Sequence, residues 1–208
     1  MLALFNIEQW LSSGGLAVLA GIVFAESGLL IGFFLPGDSL LFIAGFLSSN
    51  AGDNVLPALP LVAGVAAISA IVGDQVGYLF GKRIGPALFD RPKSRLFNPQ
   101  HVVRAHGFFE KYGAKTIVLA RFVPVVRTFA PIVAGIGTMK YRTFVIYNIA
   151  GGLLWGVGVT SLGYFLGEID AVKNNIEIAI LVIVFVSILP MVIEVIRHRR
   201  SASNTAVQ

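Results

Sequence analysis

Long apolar runs alternate with short polar stretches along this chain, and the runs are too continuous for one face of a soluble core. Gly14 to Leu35 is apolar but for the interruption at Glu26, and Ser39 to Leu47 resumes that character after Pro36-Gly37-Asp38. Pro36 disfavours helical geometry at Leu35, and Gly37 permits a sharp turn, so this stretch predicts two helices joined by a break. Pro57 to Gly81 predicts a plain spanning helix. At 1.5 Å per residue it reaches ~37 Å, enough to cross a hydrocarbon core of ~30 Å with some tilt. Thr116 to Thr138 is apolar yet holds Arg121, Pro124, Arg127 and Pro131. Phe144 to Gly167 is a Gly-rich span, and Ile176 to Ile196 is the last and least interrupted one. Leu2 to Trp10 is short and mildly amphipathic, which suits an interfacial position with Trp10 at headgroup depth. Together these elements predict an all-α integral membrane protein.

Composition agrees. The 208 residues are 56% hydrophobic and 13% charged, against about 25% charged in a soluble domain. That deficit excludes an ordinary cytosolic enzyme or nucleic-acid-binding domain. There is no Cys, so disulfides and thiol catalysis are excluded. The amino terminus has no basic region ahead of its first apolar run, so no cleaved secretory signal is expected.

Charge is distributed unevenly. The sixteen Lys and Arg outnumber eleven Asp and Glu, none of the sixteen precedes Lys82, and half lie between Lys82 and Lys115. Apolar flanks make that cluster a membrane loop rather than a nucleic-acid surface. The positive-inside rule puts the Lys82–Lys115 loop, Lys140 with Arg142, and the tail from Arg197 in the cytoplasm. Asn50 to Leu56, the acid-rich Glu168–Glu177 turn and the amino terminus then lie outside. Thr116 to Thr138 begins and ends beside basic clusters. A re-entrant hairpin broken at Pro124, Pro131 or Gly135 resolves that conflict, and a kinked crossing helix with imperfect charge bias is the alternative. Gly14 to Leu47, broken at Pro36-Gly37, forms the mirror case.

Two echoes connect the halves. Gly77-Tyr78-Leu79-Phe80-Gly81 is echoed by Gly163-Tyr164-Phe165-Leu166-Gly167, and Phe34-Leu35-Pro36 by Phe122-Val123-Pro124. The stretch from Pro36 to Tyr78 nearly equals that from Pro124 to Tyr164. Either these are chance matches between Gly-rich helices, or each half is a broken hairpin followed by a spanning helix, in inverted topology. The second reading gives one membrane domain over residues 1–200. Repeat one covers about 14–81, the cytoplasmic loop 82–115, repeat two about 116–167 and a final helix 176–196, with a disordered tail at 201–208. Inverted repeats with discontinuous helices are a recurring transporter design. Broken helices expose backbone groups that lipid cannot satisfy, so they must be buried in protein or line a watery cavity. Gly151, Gly152, Gly156 and Gly158 read as packing positions.

The candidate chemistry lies in the ionisable residues within the apolar runs, because such groups are costly there and face a cavity or one another. The first hairpin contributes Glu26 and Asp38, the second Arg121 and Arg127 on either side of Pro124. Packed together, the hairpins would join opposite charges, either as a structural salt-bridge network or as a binding cavity. In the cavity reading Arg121 and Arg127 receive a phosphate or other anion, for which the guanidinium fork is suited. Glu26 or Asp38 is then the protonatable counter-charge that couples a proton to movement. Asp74 either lines the same cavity or approaches the interface beside Lys82 and Arg83. His101, His106 and His198 show no metal-ligand spacing, and no Gly-rich phosphate loop is present, so no metal or cofactor is expected. No nucleophile and base are paired in an apolar segment, so no enzyme is expected.

Several of these motifs resemble the DedA family, part of the wider group of SNARE-associated or VTT-domain membrane proteins. They are Glu26-Ser27, Phe34-Leu35-Pro36-Gly37-Asp38, and Gly73-Asp74-Gln75-Val76-Gly77-Tyr78 with Gly81. The most specific is Arg121-Phe122-Val123-Pro124-Val125-Val126-Arg127-Thr128, followed by Gly135. The resemblance extends from about residue 14 to residue 167. It implies two inverted re-entrant hairpins in a bacterial inner membrane. It also implies a role in moving lipid, such as undecaprenyl phosphate or phosphatidylethanolamine, or in proton-dependent membrane homeostasis. The acids matching Glu26 and Asp38 and the arginines matching Arg121 and Arg127 are regarded as essential in that family, and the sequence departs at none of the four.

The function expected is therefore a transporter of a phosphate-bearing lipid, with membrane lipids and protons as partners. A homo-oligomer is compatible with that reading. Two alternatives stand beside it: a proton-coupled small-solute or ion transporter, and a non-catalytic membrane organiser.

Overall fold

The computed structural model describes residues 2–29, 35, 37–89, 112–173, 175 and 178. Pro36, the final helix 176–196 and the tail 201–208 lie outside the described residues, apart from Ile178, as does most of the basic loop. The described elements are all helical: α1 Leu2–Gly28, α2 Gly37–Leu47, α3 Leu59–Phe89, α4 Thr116–Ala120, α5 Pro124–Ile136, α6 Tyr141–Gly167 and α7 Asp170–Lys173, with a 3-10 turn at Asn50–Gly52. Within them, Leu59–Ile84 and Tyr141–Gly167 are long and apolar enough to cross a membrane.

The helix ends follow from local chemistry. The expected interfacial segment Leu2–Trp10 is the first part of α1, which continues to Gly28 and changes direction only at Gly15 (φ 53°, ψ −138°), a conformation glycine adopts readily. The sequence places the end of the spanning helix at Gly81, but α3 runs on to Phe89. Lys82 and Arg83 are good helix formers, so leaving the apolar stretch does not end the helix. Between α4 and α5 the helix breaks at residues 121–123. Val123 is extended (φ −120°, ψ 106°) and Pro124 opens α5, because proline disfavours helix at the residue before it yet suits the first helical position. Pro131, expected as a further break, lies inside α5 and does not interrupt it. A proline there removes a single N–H, and the surrounding helices keep the segment in line.

Helix α2 is the innermost element. Gly37, Ser39 to Gly45 and Leu47 are all buried, as expected of a helix that is apolar on every side. Leu19 and Val23 of α1, Val62, Ala66 and Ala70 of α3, and Trp155 of α6 share its core. A second core gathers Tyr78, Ile117, Ala130, Ala134 and Phe144. With 11 residues in α2 and 13 in α5, each reaches only ~17–20 Å, short of the ~30 Å of a hydrocarbon core.

Small residues bring the backbones together. Gly152 packs on Ile71 and Gly156 on Ala67, so α6 runs antiparallel to α3, whereas Gly163 on Phe42 and Gly167 on Phe46 set α6 parallel to α2. The backbone N–H of Asn50 donates to Glu168 Oε1 at 3.0 Å, joining the start of the α3 connection to the end of α6. At the opposite end the Tyr78 hydroxyl donates to Met139 O at 2.5 Å. Asp53, Glu168 and Asp170 thus belong to one end of the α3/α6 pair and Lys82, Arg83, Lys140 and Arg142 to the other. Outward positions such as Ile68, Val72, Leu79, Ile146, Leu154 and Phe165 are exposed, the apolar surface expected of lipid-facing helices.

Candidate functional site

Arg127 stands in the first turn of α5 and Asp38 in the first turn of α2, and Arg127 Nη1 donates to Asp38 Oδ1 at 2.8 Å. Arg127 Nη2 also pairs with Glu26 Oε1, from the end of α1. Three elements therefore meet on one guanidinium. Glu26 is 1% exposed and Arg127 9%, so these charges have left water and depend on one another.

Glu26 has a second task. Its Oε1 accepts from the backbone N–H of Gly37 at 3.2 Å, satisfying one of the donors that the start of α2 leaves unpaired. An added Cβ at 37 would overlap the Glu26 carboxyl, so any larger residue there requires that side chain to move away. The break in the first half is thus fastened by an acid from the helix before it. Glu26 Oε2 is buried and makes no hydrogen bond among the described residues.

Arg121 belongs to a second cluster. Its Nη2 donates to Asp74 Oδ2 and to Asn148 Oδ1, each at 2.5 Å. The amide of Asn148 donates onward to Ile71 O at 3.0 Å. The arginine of the α4–α5 break is thereby bound to both long helices, at the middle of α3 and in the first third of α6. Gly151 provides its room, since a Cβ there would lie 3.0 Å from Arg121 Cδ. Arg121 Nε is buried without a hydrogen-bond partner among the described residues.

The expected meeting of two acids with two arginines is therefore divided. The structure brings Glu26 and Asp38 to Arg127 and gives Arg121 to Asp74. Asp74 is 3% exposed, buried in the protein beside Arg121. Gly37 opens α2 and Pro124 opens α5, both at helix breaks. Of the four glycines read as packing positions, Gly156 meets Ala67, Gly151 and Gly152 meet Arg121 and Ile71, and Gly158 has nothing within 4 Å. Sequence reasoning missed Asn148 and Trp155. The signal for Asn148 was a lone amide in the Phe144–Gly167 span, and for Trp155 an indole in the middle of an apolar run. Trp155 is 2% exposed, donates from Nε1 to Asp38 Oδ1 at 2.8 Å, and lies under the Arg127 guanidinium, 5.0 Å from ring centre to Cζ.

Comparison with known proteins identifies the family. The VTT domain matches residues 35–165, a stretch that contains Asp38, Asp74, Arg121, Arg127, Asn148 and Trp155. The chain is 50% identical over 190 residues to Protein DedA of Escherichia coli (strain K12), covering 91% of this chain and 86% of that protein. It is 48% identical over 205 residues to an uncharacterized membrane protein of Mycobacterium tuberculosis (strain ATCC 25618 / H37Rv), covering 94% and 87%. A third relative, an uncharacterized membrane protein of Mycobacterium leprae (strain TN), is 46% identical over 199 residues, covering 96% and 87%. No solved structure matches the chain. A lipid-handling transporter role and a multi-pass inner-membrane topology are consistent with membership of this family and with the two long apolar helices. On the domain match and on near full-length identity, the chain belongs to the DedA family of VTT-domain membrane proteins.

Proposed function

We propose that this protein moves a phosphate-bearing lipid, undecaprenyl phosphate or a phospholipid such as phosphatidylethanolamine, across the bacterial cytoplasmic membrane with proton coupling. The observation that carries this reading is Arg127, a buried guanidinium held between Glu26 and Asp38 where the first turns of two short helices meet. Half-helix N-termini facing an anionic group are a recurring transporter arrangement, and a guanidinium fork suits phosphate oxygens. In this mechanism a proton taken up by Glu26 or Asp38 neutralises one partner of Arg127 and frees the guanidinium for the headgroup. The acyl or prenyl tail stays in hydrocarbon along the apolar outer faces of α3 and α6. Arg121 supplies a second phosphate contact, and its Nε, without a hydrogen-bond partner among the described residues, is the donor for it. Asp74 lines the same path.

The architecture behind this reading is a pair of inverted re-entrant hairpins, α1–α2 and α4–α5, each followed by a spanning helix, α3 and α6. The basic ends of α3 and α6 face the cytoplasm, as does the carboxyl terminus beyond a last crossing at 176–196.

Reconstitution tests the reading. Purified protein in vesicles is supplied with labelled phospholipids and undecaprenyl phosphate, and wild type is compared with Arg127→Ala at two pH values. Headgroup movement above empty vesicles in wild type, lost in Arg127→Ala, is expected. Equal movement in both proteins defeats the phosphate role of Arg127. Full retention of pH-dependent movement in both Glu26→Gln and Asp38→Asn removes proton coupling. A protein that only organises the membrane would keep full function with Arg121→Lys, which this mechanism does not allow.

A further inference from the structure

Trp155 has no part in the transport cycle just described, yet it touches both members of its central ion pair. Its indole N–H and Arg127 Nη1 donate to the same oxygen, Asp38 Oδ1, each at 2.8 Å. Its ring also lies under the guanidinium, 5.0 Å from centroid to Cζ, within the ~6 Å reach of cation–π attraction. Trp155 is 2% exposed, so its contact with the buried Arg127 guanidinium is made away from water, where such a contact is stronger. The close passage of α6 along α2, set by Gly163 against Phe42, brings the indole from α6 to the start of α2.

A buried guanidinium that changes partners faces a physical difficulty. Releasing a carboxylate as it takes up its proton, before a phosphate arrives, leaves the buried guanidinium short of a counter-charge, a costly state. An aromatic face lowers that cost without competing, because it holds the guanidinium by its plane and leaves the N–H edge free for phosphate. The indole N–H is a donor only, so it stays with Asp38 when Arg127 leaves. We propose that Trp155 is a positioning residue for this exchange. It keeps the Arg127 guanidinium by its ring face and Asp38 by its N–H while the guanidinium edge passes from carboxylate to the phosphate group of a ligand. This inference rests on the reading of Arg127 as the headgroup site.

The chemistry recognised is a phosphate oxyanion, carried either by a lipid or by inorganic phosphate. The chain has two tryptophans, so Trp10→Phe leaves Trp155 as the single emitter. That protein, in nanodiscs of the phosphate-free lipid digalactosyldiacylglycerol, is titrated with phosphatidic acid, with inorganic phosphate and with diacylglycerol as the uncharged control. A change in Trp155 emission with phosphatidic acid alone supports a lipid-borne ligand, and a change with inorganic phosphate supports a free anion. No change with either phosphate, or an equal change with diacylglycerol, overturns the proposal.

Kinetics supply the second arm. In vesicles of graded phosphatidic acid content, Trp155→Phe keeps a ring face and loses the N–H, and Trp155→Leu loses both. The half-saturating lipid content is expected to rise about tenfold in Trp155→Phe, the loss of one hydrogen bond to a charged group, and further in Trp155→Leu. The maximal rate per folded molecule should stay within about twofold of wild type. A purely structural tryptophan would lower the amount of folded protein and leave half-saturation in place, and that result overturns the assignment. If Trp155→Leu does not fold, Trp155→Phe against wild type decides. A wild type that moves no phosphate lipid and shows no emission response removes the transport reading itself. A wild type that moves lipid while Trp155→Phe saturates at the same content removes only the role of Trp155.

Discussion

Gly28 of α1 and Gly73 of α3 cross backbone against backbone: a Cβ added to Gly28 would lie 2.7 Å from Gly73 O, and one added to Gly73 would lie 2.7 Å from Phe24 O. The crossing stands between the two charge clusters, since Glu26 precedes Gly28 by half a turn and Asp74 follows Gly73. Alanine at either position must push rigid backbone, so Gly28→Ala and Gly73→Ala should each cost about 1–3 kcal/mol. Thermal unfolding in detergent should show the loss for both variants.

The glycines of α6 should divide by what they face. Gly156 faces the Ala67 backbone, with an added Cβ 2.8 Å from Ala67 Cα, whereas Gly158 has nothing within 4 Å. Gly156→Ala should therefore lower the unfolding temperature. Gly158→Ala should leave it unchanged or raise it, because alanine is favoured over glycine in a helix by up to about 1 kcal/mol. Equal effects in the two variants would contradict the packing described for α3 and α6.

Arg121 and Asp74 should behave as one unit in denaturant unfolding. Removing either partner alone leaves a buried charge uncompensated, a loss of about 3–5 kcal/mol. The double variant Arg121→Met/Asp74→Leu should lose much less than the sum of the singles. A double-mutant cycle measures this directly, and additive losses would show that the pair contributes no coupling.

At the end of α5, Met139 N–H donates to Ala134 O and Thr138 N–H to Gly135 O, with Thr138 left-handed at φ 57°. This is the helix-ending pattern in which glycine is usual, and a β-branched residue is strained there. Thr138→Gly should stabilise the protein by up to about 1 kcal/mol, and Thr138→Val should gain nothing. The same unfolding assay checks both.

How much of this was legible in the sequence varies by residue. The arginines flanking Pro124 and the acids flanking Pro36 signalled buried ion pairing, because charge in an apolar run needs a partner. That Arg127 takes Glu26 and Asp38 while Arg121 takes Asp74 was not legible, since partner choice depends on where the helices cross. Asn148 and Trp155 were overlooked for the same reason: an amide or indole in an apolar helix carries no mark of the face it presents. The break before Pro124 was readable from proline's effect on its predecessor. Pro131 was overread, because one missing N–H does not stop a helix that is packed on α3. The end of α3 was misplaced because composition marks where lipid stops, not where a helix stops.

The carboxyl of Glu26 fills the space where any other residue at position 37 would carry its β-carbon. The glycine there is in that sense coupled to a side chain eleven positions upstream. A genetic screen started from a damaged Gly37→Ala allele should accordingly recover suppressors that shorten the side chain at 26, with Glu26→Asp the least change that makes room.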